Sequence, residues 1–222
     1  VVHATRRFPD QYRGQRAGFS AELKKRVLKV LSLAARFYQA QLAANPPALR
    51  YMARERGFNR RTLLDWQVGY APNTGRALSD FLTKQGFTVD EMKRAGLVFE
   101  RRHGVGDMFR GRIMLPLTDP QGEVVGFTGR LLADDPEAPK YINTPQTVVY
   151  DKSRQVFGLH LAKEAIRKSG YAVVVEGNMD VLAAHQAGTA QVVATAGTAM
   201  TEQHLKALGR FSADVRLCFD AD

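Results

Sequence analysis

The chain has 222 residues, 45% of them hydrophobic, and carries 32 Lys and Arg against 22 Asp and Glu for a net charge of +10. This supports a true core in one large or two small domains, and no apolar run approaches the ~18 residues of a membrane-spanning helix. The single cysteine, Cys218, excludes an internal disulfide or a cysteine-rich zinc site and fits a reducing compartment.

Residues 1–19 are basic, punctuated by Gly and Pro, and read as a linker or arm. VVHATRRFPD has no apolar stretch after its basic residues, so no signal peptide is expected, and a start at Val suggests a piece of a longer chain. Ser20 is placed to cap an amphipathic helix in which Leu23, Val27, Leu31, Ala34, Tyr38 and Leu42 recur at three or four. Asn45-Pro46-Pro47 ends it. PALRYMARER predicts a second helix stopping at Gly57, and residues 60–67 a third. VGYAPN is extended and turning. ALSDFLTKQG and TVDEMKRAG are short helices closed by Gly86 and Gly96, so residues 20–96 form a helical unit. Residues 97–153 read as strand-rich, centred on a hairpin in FRGRIMLPLTDPQGEVVGFTGRLL that turns at Asp119-Pro120-Gln121-Gly122. VFGLHLAKEAIRKSG is a helix stopped by Gly170. AVVVEG, MDVLAAHQAG, QVVATAG, TEQHLKALGRF and VRLCFDAD then alternate strand and helix, which predicts a parallel sheet covered on both faces. Cys218 falls in the last of these strands and reads as buried filler. The expected class is α/β: an α+β amino-terminal subdomain at 20–169, then a doubly wound parallel sheet at 170–222.

Charge divides along the same line. Residues 171–222 carry a net −3, against +13 for the rest, a pattern that suits a polyanion on one part and cations on the other. Ligands of open parallel sheets collect at the carboxyl ends of the strands. Glu176 ends one strand and Asp220 and Asp222 end another, two apart and so on one side of an extended chain. Asp180 lies in the first turn of the helix after Glu176. Each acid alone reads more readily as a helix cap or a turn residue, because such caps are common. Together they form an oxygen-rich set suited to Mg²⁺ or Mn²⁺, whose chemistry joins or cuts phosphodiesters. Gly177 lets the backbone turn close to such a site. His185 and His204 lack metal-ligand spacing. Arg110 and Arg112 alternate as if on one side of a strand, either lining a groove or pairing with Asp107 or Asp119. Arg130 ends GFTGR, whose glycines leave room for a ligand. Lys140, Tyr141 and Asn143 offer a charge, a stacking face and an amide, a mixture suited to single-stranded nucleic acid. Arg76 and Lys24-Lys25-Arg26 read as solvated surface.

E-G-x-x-D at 176–180 followed by D-x-D at 220–222 resembles the Toprim signature. RERGF (54–58), VGYAP (68–72), FRGRIMLPLTDPQGEVVGFTGR (109–130), PKYINTPQT (139–147), YDKS (150–153), FGLHLA (157–162), GTAMTEQHL (197–205) and FDAD (219–222) resemble the RNA-polymerase catalytic core of bacterial replicative primases of the DnaG type. The resemblance covers residue 20 to the end. It implies DNA-directed RNA primer synthesis, with Glu176, Asp180, Asp220 and Asp222 holding Mg²⁺ or Mn²⁺ and Glu176 also acting on the attacking hydroxyl. It places template and nucleotide contacts at Arg56, Arg130, Lys140, Asn143 and Lys152. The implied partners are a single-stranded DNA template, ribonucleoside triphosphates and a replicative helicase reached through a domain missing here; the implied setting is the bacterial cytoplasm and nucleoid, with no membrane. Zinc is not expected. The family's Toprim domain continues with a helix, a strand and a further acidic pair, so a truncated piece is expected, and its activity alone stays open. The rival readings are a non-catalytic single-stranded-DNA-binding fragment and another Toprim nuclease or topoisomerase.

Overall fold

The computed structural model describes residues 21–102, 104–133, 135–197 and 199–219. The arm at 1–19, the cap at Ser20, and Asp220 and Asp222 lie outside the described residues.

Helix α1 (Ala21–Ala43) buries Val27, Leu31, Ala34, Tyr38 and Leu42 as a single stripe. Asn45 opens α2 (Pro46–Arg50): its Oδ1 accepts the Ala48 N–H at 3.0 Å, and two prolines occupy the positions whose N–H groups would have no helical partner. The expected second helix does not run on as α-helix to Gly57. Residues Tyr51–Glu55 form a π turn, closed by the Arg56 N–H to Tyr51 O at 3.0 Å. Isolated wide turns of this kind recur at functional sites. Then follow α3 (Arg60–Asp65), capped by Asn59, β1 (Gly69–Ala71), α4 (Ala77–Lys84) and α5 (Val89–Arg94). Arg26 is not simply solvated. Its Nε meets Glu91 at 2.6 Å and its guanidinium lies 4.6 Å from the Phe87 ring centre.

A small antiparallel hairpin, β2 (Val98–Arg101) and β3 (Gly104–Asp107), was not foreseen strand by strand. It supplies what α4 lacks. The buried Asp107 carboxylate accepts the Leu78 and Ser79 N–H groups, both at 2.9 Å, and so caps that helix from a distance. The predicted hairpin is β4 (Arg112–Thr118) and β5 (Val124–Leu131). With β1 and β6 (Tyr141–Asn143) it makes an antiparallel sheet in the order β1-β4-β5-β6.

The parallel sheet forms as expected. Strands β7 (Tyr171–Val175), β8 (Val192–Ala194) and β9 (Asp214–Leu217) lie in the order β8-β7-β9. α6 (Leu159–Ser169) and α8 (Glu202–Leu208) pack with Ala172, Val174 and Val193 on one face. α7 (Asn178–Gln186) lies over Val173, Val175 and Val192 on the other. That second cluster continues without a break into Leu42, Met52, Trp66, Ile113 and Leu115. Cys218 departs from expectation: it is exposed. β9 is an edge strand among the described residues, and its neighbours Leu217 and Phe219 are 58% and 46% exposed, so the apolar run here lacks the cover that its sequence suggested.

Candidate active site and nucleic-acid interface

A cleft of about 550 Å³ opens where the two sheets meet. Its walls come from both. Tyr141 and Asn143 enter from β6, and Lys152 from the following turn. Glu176, Gly177 and Asn178 come from the carboxyl end of β7, and Ala196 and Gly197 from beyond β8. Four residues singled out in the sequence, Tyr141, Asn143, Lys152 and Glu176, therefore share one cavity although they span three segments of chain.

Each is held by identifiable contacts. Asn143 donates from Nδ2 to Ala196 O at 3.0 Å, a bond that ties β6 to the loop after β8. Lys152 sits on a turn gripped by the start of α8. Thr201 Oγ1 donates to Ser153 O at 2.6 Å, and His204 lies 3.3 Å through Nε2 from Lys152 O. His204 Nδ1 accepts the Thr201 N–H at 3.2 Å, which leaves the proton on Nε2 to donate to Lys152 O. His204 is fully buried, and burial holds its pKa below the usual value. Glu176 is exposed at the end of β7. The Asp180 carboxylate folds against Gly177, a residue of the cleft wall, where a Cβ would collide with it. A larger residue at 177 would push this carboxylate out of its place.

Arg130 lies at the margin of the cleft, directly across from Tyr141 in the β5–β6 register. It donates from Nε to Tyr51 Oη at 2.6 Å, and Nη1 reaches Tyr141 Oη at 3.4 Å. The guanidinium lies 5.7 Å from the Tyr51 ring centre and 5.6 Å from that of Tyr141. Burial opposes its charge, but the bonds to the two tyrosines outweigh this and raise its pKa. Arg56 is exposed and closes the π turn that begins at Tyr51.

Other expected residues sit elsewhere. Arg112 does not line a groove. It is 5% exposed, and its Nη1 donates to Gly129 O at 3.1 Å and Lys140 O at 3.3 Å, beneath the sheet's own strands. Arg110 precedes β4, is exposed, and is separated from Arg112 by Gly111 at φ +61°, so the two do not share a strand face. Neither pairs with Asp107, which is committed to α4, nor with Asp119, whose Oδ1 accepts the Gln121 and Glu123 N–H groups. Gly129 is not room for a ligand: a Cβ there would come within 3.2 Å of Phe109, Arg112 and Met114. Lys140 is exposed on the β5–β6 connection. Three residues escaped the sequence reading. Tyr51 looked like one position of a regular helix, and Asn178 sat unnoticed between two acids. Arg101 carried no sign that its guanidinium would lie, like the Arg110 side chain, close to Gly75.

The cleft offers oxygen donors. Beside Glu176, the Asn178 side chain is 6% exposed and its Oδ1 has no hydrogen-bond partner among the described residues. Such a donor set suits a hard dication. Among the described residues, no three His, Cys, Asp or Glu side chains come together as a ligand group.

Residues 37–163 match the family described as the DNA primase catalytic core, N-terminal domain, and residues 173–222 match the Toprim-like family. The chain belongs to the DNA primase catalytic-core family. It is 43% identical to the DNA primase of Synechococcus elongatus over 206 residues, which is 90% of this chain and 29% of that protein. It is 41% identical to the DNA primase of Streptomyces coelicolor over 221 residues, 96% of this chain and 33% of the relative. The chain thus spans about a third of the length of these curated relatives. The RNA polymerase domain of Mycobacterium tuberculosis primase superposes with a TM-score of 0.84 at 39% identity, covering 90% of this chain and 67% of that one. A primase catalytic domain solved bound to single-stranded DNA superposes with a TM-score of 0.81 at 32% identity, covering 91% of this chain and 63% of that one. The cleft between the sheets therefore belongs to a primase core, and both expected parts of that fold are present.

Proposed function

We propose that this primase core takes part in DNA-directed RNA primer synthesis, joining ribonucleoside triphosphates on a single-stranded DNA template. The observation that carries the reading is the cleft itself, in which Glu176 from a strand end shares a cavity with Lys152, Tyr141 and Asn143. An acid on one wall and a base-stacking ring with a cation on the other are what a nucleotide held for phosphoryl transfer requires.

Glu176, together with Asp180, Asp220 and Asp222, would hold Mg²⁺ or Mn²⁺; such an ion, when bound, lowers the pKa of an attacking hydroxyl and offsets charge on the phosphate. The chain's own groups do the rest. Lys152 meets a phosphate, on a turn held by Thr201 and His204. Tyr141 stacks a base. Arg130, with its Nη donors not tied to a carboxylate among the described residues, takes a second phosphate. Arg56, Lys140 and Arg110 extend the positive surface along the strand. In this reading residues 20–169 chiefly supply nucleic-acid contacts and residues 170–222 the acids. The helicase partner, reached through a region beyond this chain, and the bacterial cytoplasmic setting belong to the same reading.

The test uses a primase of full family length carrying this chain, a labelled single-stranded template, ribonucleotides and Mg²⁺. Glu176→Gln and Asp220→Ala are each expected to abolish primer synthesis while template affinity stays within about twofold. Synthesis at the wild-type rate overturns the reading. Nucleotide-independent cutting of the template would favour a nuclease instead. Salt-dependent DNA binding by the unsubstituted protein, with no Mg²⁺-dependent turnover, would favour a non-catalytic binding role.

A further inference from the structure

Tyr51 is not among the residues that line the cavity, yet it makes the shorter of the two tyrosine bonds to Arg130. Its hydroxyl accepts the Arg130 Nε–H at 2.6 Å, whereas the bond from Nη1 to Tyr141 is 3.4 Å. The two tyrosine rings lie at similar distances from the guanidinium, 5.7 and 5.6 Å, so both stay within cation–π range of it. With Nε occupied, the terminal nitrogens are left to make a forked contact with a phosphate. Tyr51 is also the first residue of the π turn, and its carbonyl oxygen accepts the Arg56 N–H at 3.0 Å. One residue therefore orients one arginine through its side chain and anchors the backbone of a second.

We infer that Tyr51 is a positioning residue: it presents Arg130 to a phosphate group and ties that arginine to Arg56 through the π turn. The inference rests on the proposed role of Arg130. The phosphate belongs either to the DNA strand or to the incoming triphosphate, and two arms of one experiment separate these sources. The first measures binding of a fluorescein-labelled oligothymidylate by anisotropy across a salt series. The second measures KM and kcat for ATP during primer synthesis. Both compare the full-length primase with its Tyr51→Phe, Arg130→Gln and doubly substituted forms.

Tyr51→Phe keeps the ring and removes only the acceptor. It is expected to raise Kd for DNA or KM for ATP by about three- to tenfold, the scale of one hydrogen bond to a charged group. Melting temperature and kcat stay unchanged. In the Arg130→Gln background the same substitution adds nothing, because its effect runs through Arg130. A loss confined to the first arm assigns the phosphate to DNA, and one confined to the second assigns it to the nucleotide. Tyr51→Phe matching wild type while Arg130→Gln is impaired overturns the inference and leaves the role of Arg130 standing. Additive losses overturn it too, since Tyr51 would then act independently. If Arg130→Gln matches wild type in both arms, the role of Arg130 falls and the inference with it.

Discussion

Arginines of one chain do different work according to what their nitrogens meet. Arg112 spends its guanidinium on the carbonyls of Gly129 and Lys140 and is buried; burial also lowers its pKa. Arg130 keeps its terminal nitrogens at the margin of the cleft. Replacing Arg112 with Met is expected to destabilise the fold by about 1.5–3 kcal/mol, the range for bonds to a charged group, measured by urea denaturation. The slope of log K against log salt for DNA should not change, because no phosphate contact is lost. Arg130→Gln should do the reverse: where its phosphate is the DNA's, the slope flattens by about one, with little change in the urea midpoint. Gly177→Ala is a third case. Its Cβ would displace the Asp180 carboxylate, so Mg²⁺-dependent primer synthesis should fall while the unfolding free energy from urea denaturation changes by under about 1 kcal/mol. Sequence showed that these residues were basic or small. It could not show that Arg112 passes under a glycine of the neighbouring strand, since that depends on register rather than composition.

At the level of helices and strands, patterning was a good guide where a segment makes its own contacts. The α1 stripe, the β4–β5 hairpin and the alternation from 171 onward could all be read, because local periodicity and turn residues specify them. What escaped were features whose cause lies elsewhere in the chain. The α4 cap comes from Asp107, about thirty residues away. The π turn interrupts a helix whose sequence shows no break. Glu91 combines both kinds of contact. It closes a local capping box with Thr88 and also bonds Arg26, chiefly through which its pKa falls to about 2. A carboxylate depressed in this way contributes stability above its ordinary value near 4.5, and that contribution disappears as pH falls towards 2. The thermal midpoint should therefore drop across that interval, and Glu91→Gln should flatten the drop while lowering the midpoint at neutral pH.

Across the whole molecule, the single tryptophan reports on the contact between the two sheets. Trp66 stacks on Phe157 with ring centres 5.3 Å apart, and His160 and His185 meet it edge-on at 6.2 and 4.9 Å. Burial, then the charges of Lys163 and His185, lower the His160 pKa to about 4 against a weak opposing pull from Asp119. A histidine held neutral contributes stability above about 6.5 and loses it as pH falls through about 4. Trp66 emission should change in that range, and His160→Gln should remove most of the change. The acid constellation was only half recoverable at this scale. The sheet order brings Glu176 to the cleft, and the Asp180 carboxylate lies against Gly177, which lines the same cavity; sequence spacing put Asp180 in the helix's first turn but could not choose between the directions open to its side chain there.

The apolar cluster that runs from Met52 and Trp66 through Ile113 to Val181 and Ala194 has a mechanical consequence. It makes the gap between the sheets a seam in continuous apolar material, and swinging the walls apart would expose that packing to water. Packing of this kind favours one width, so occupants are selected chiefly by charge and shape. Cutting the polypeptide near residue 170 would strip one wall of its backing, so neither half should stay folded without the other.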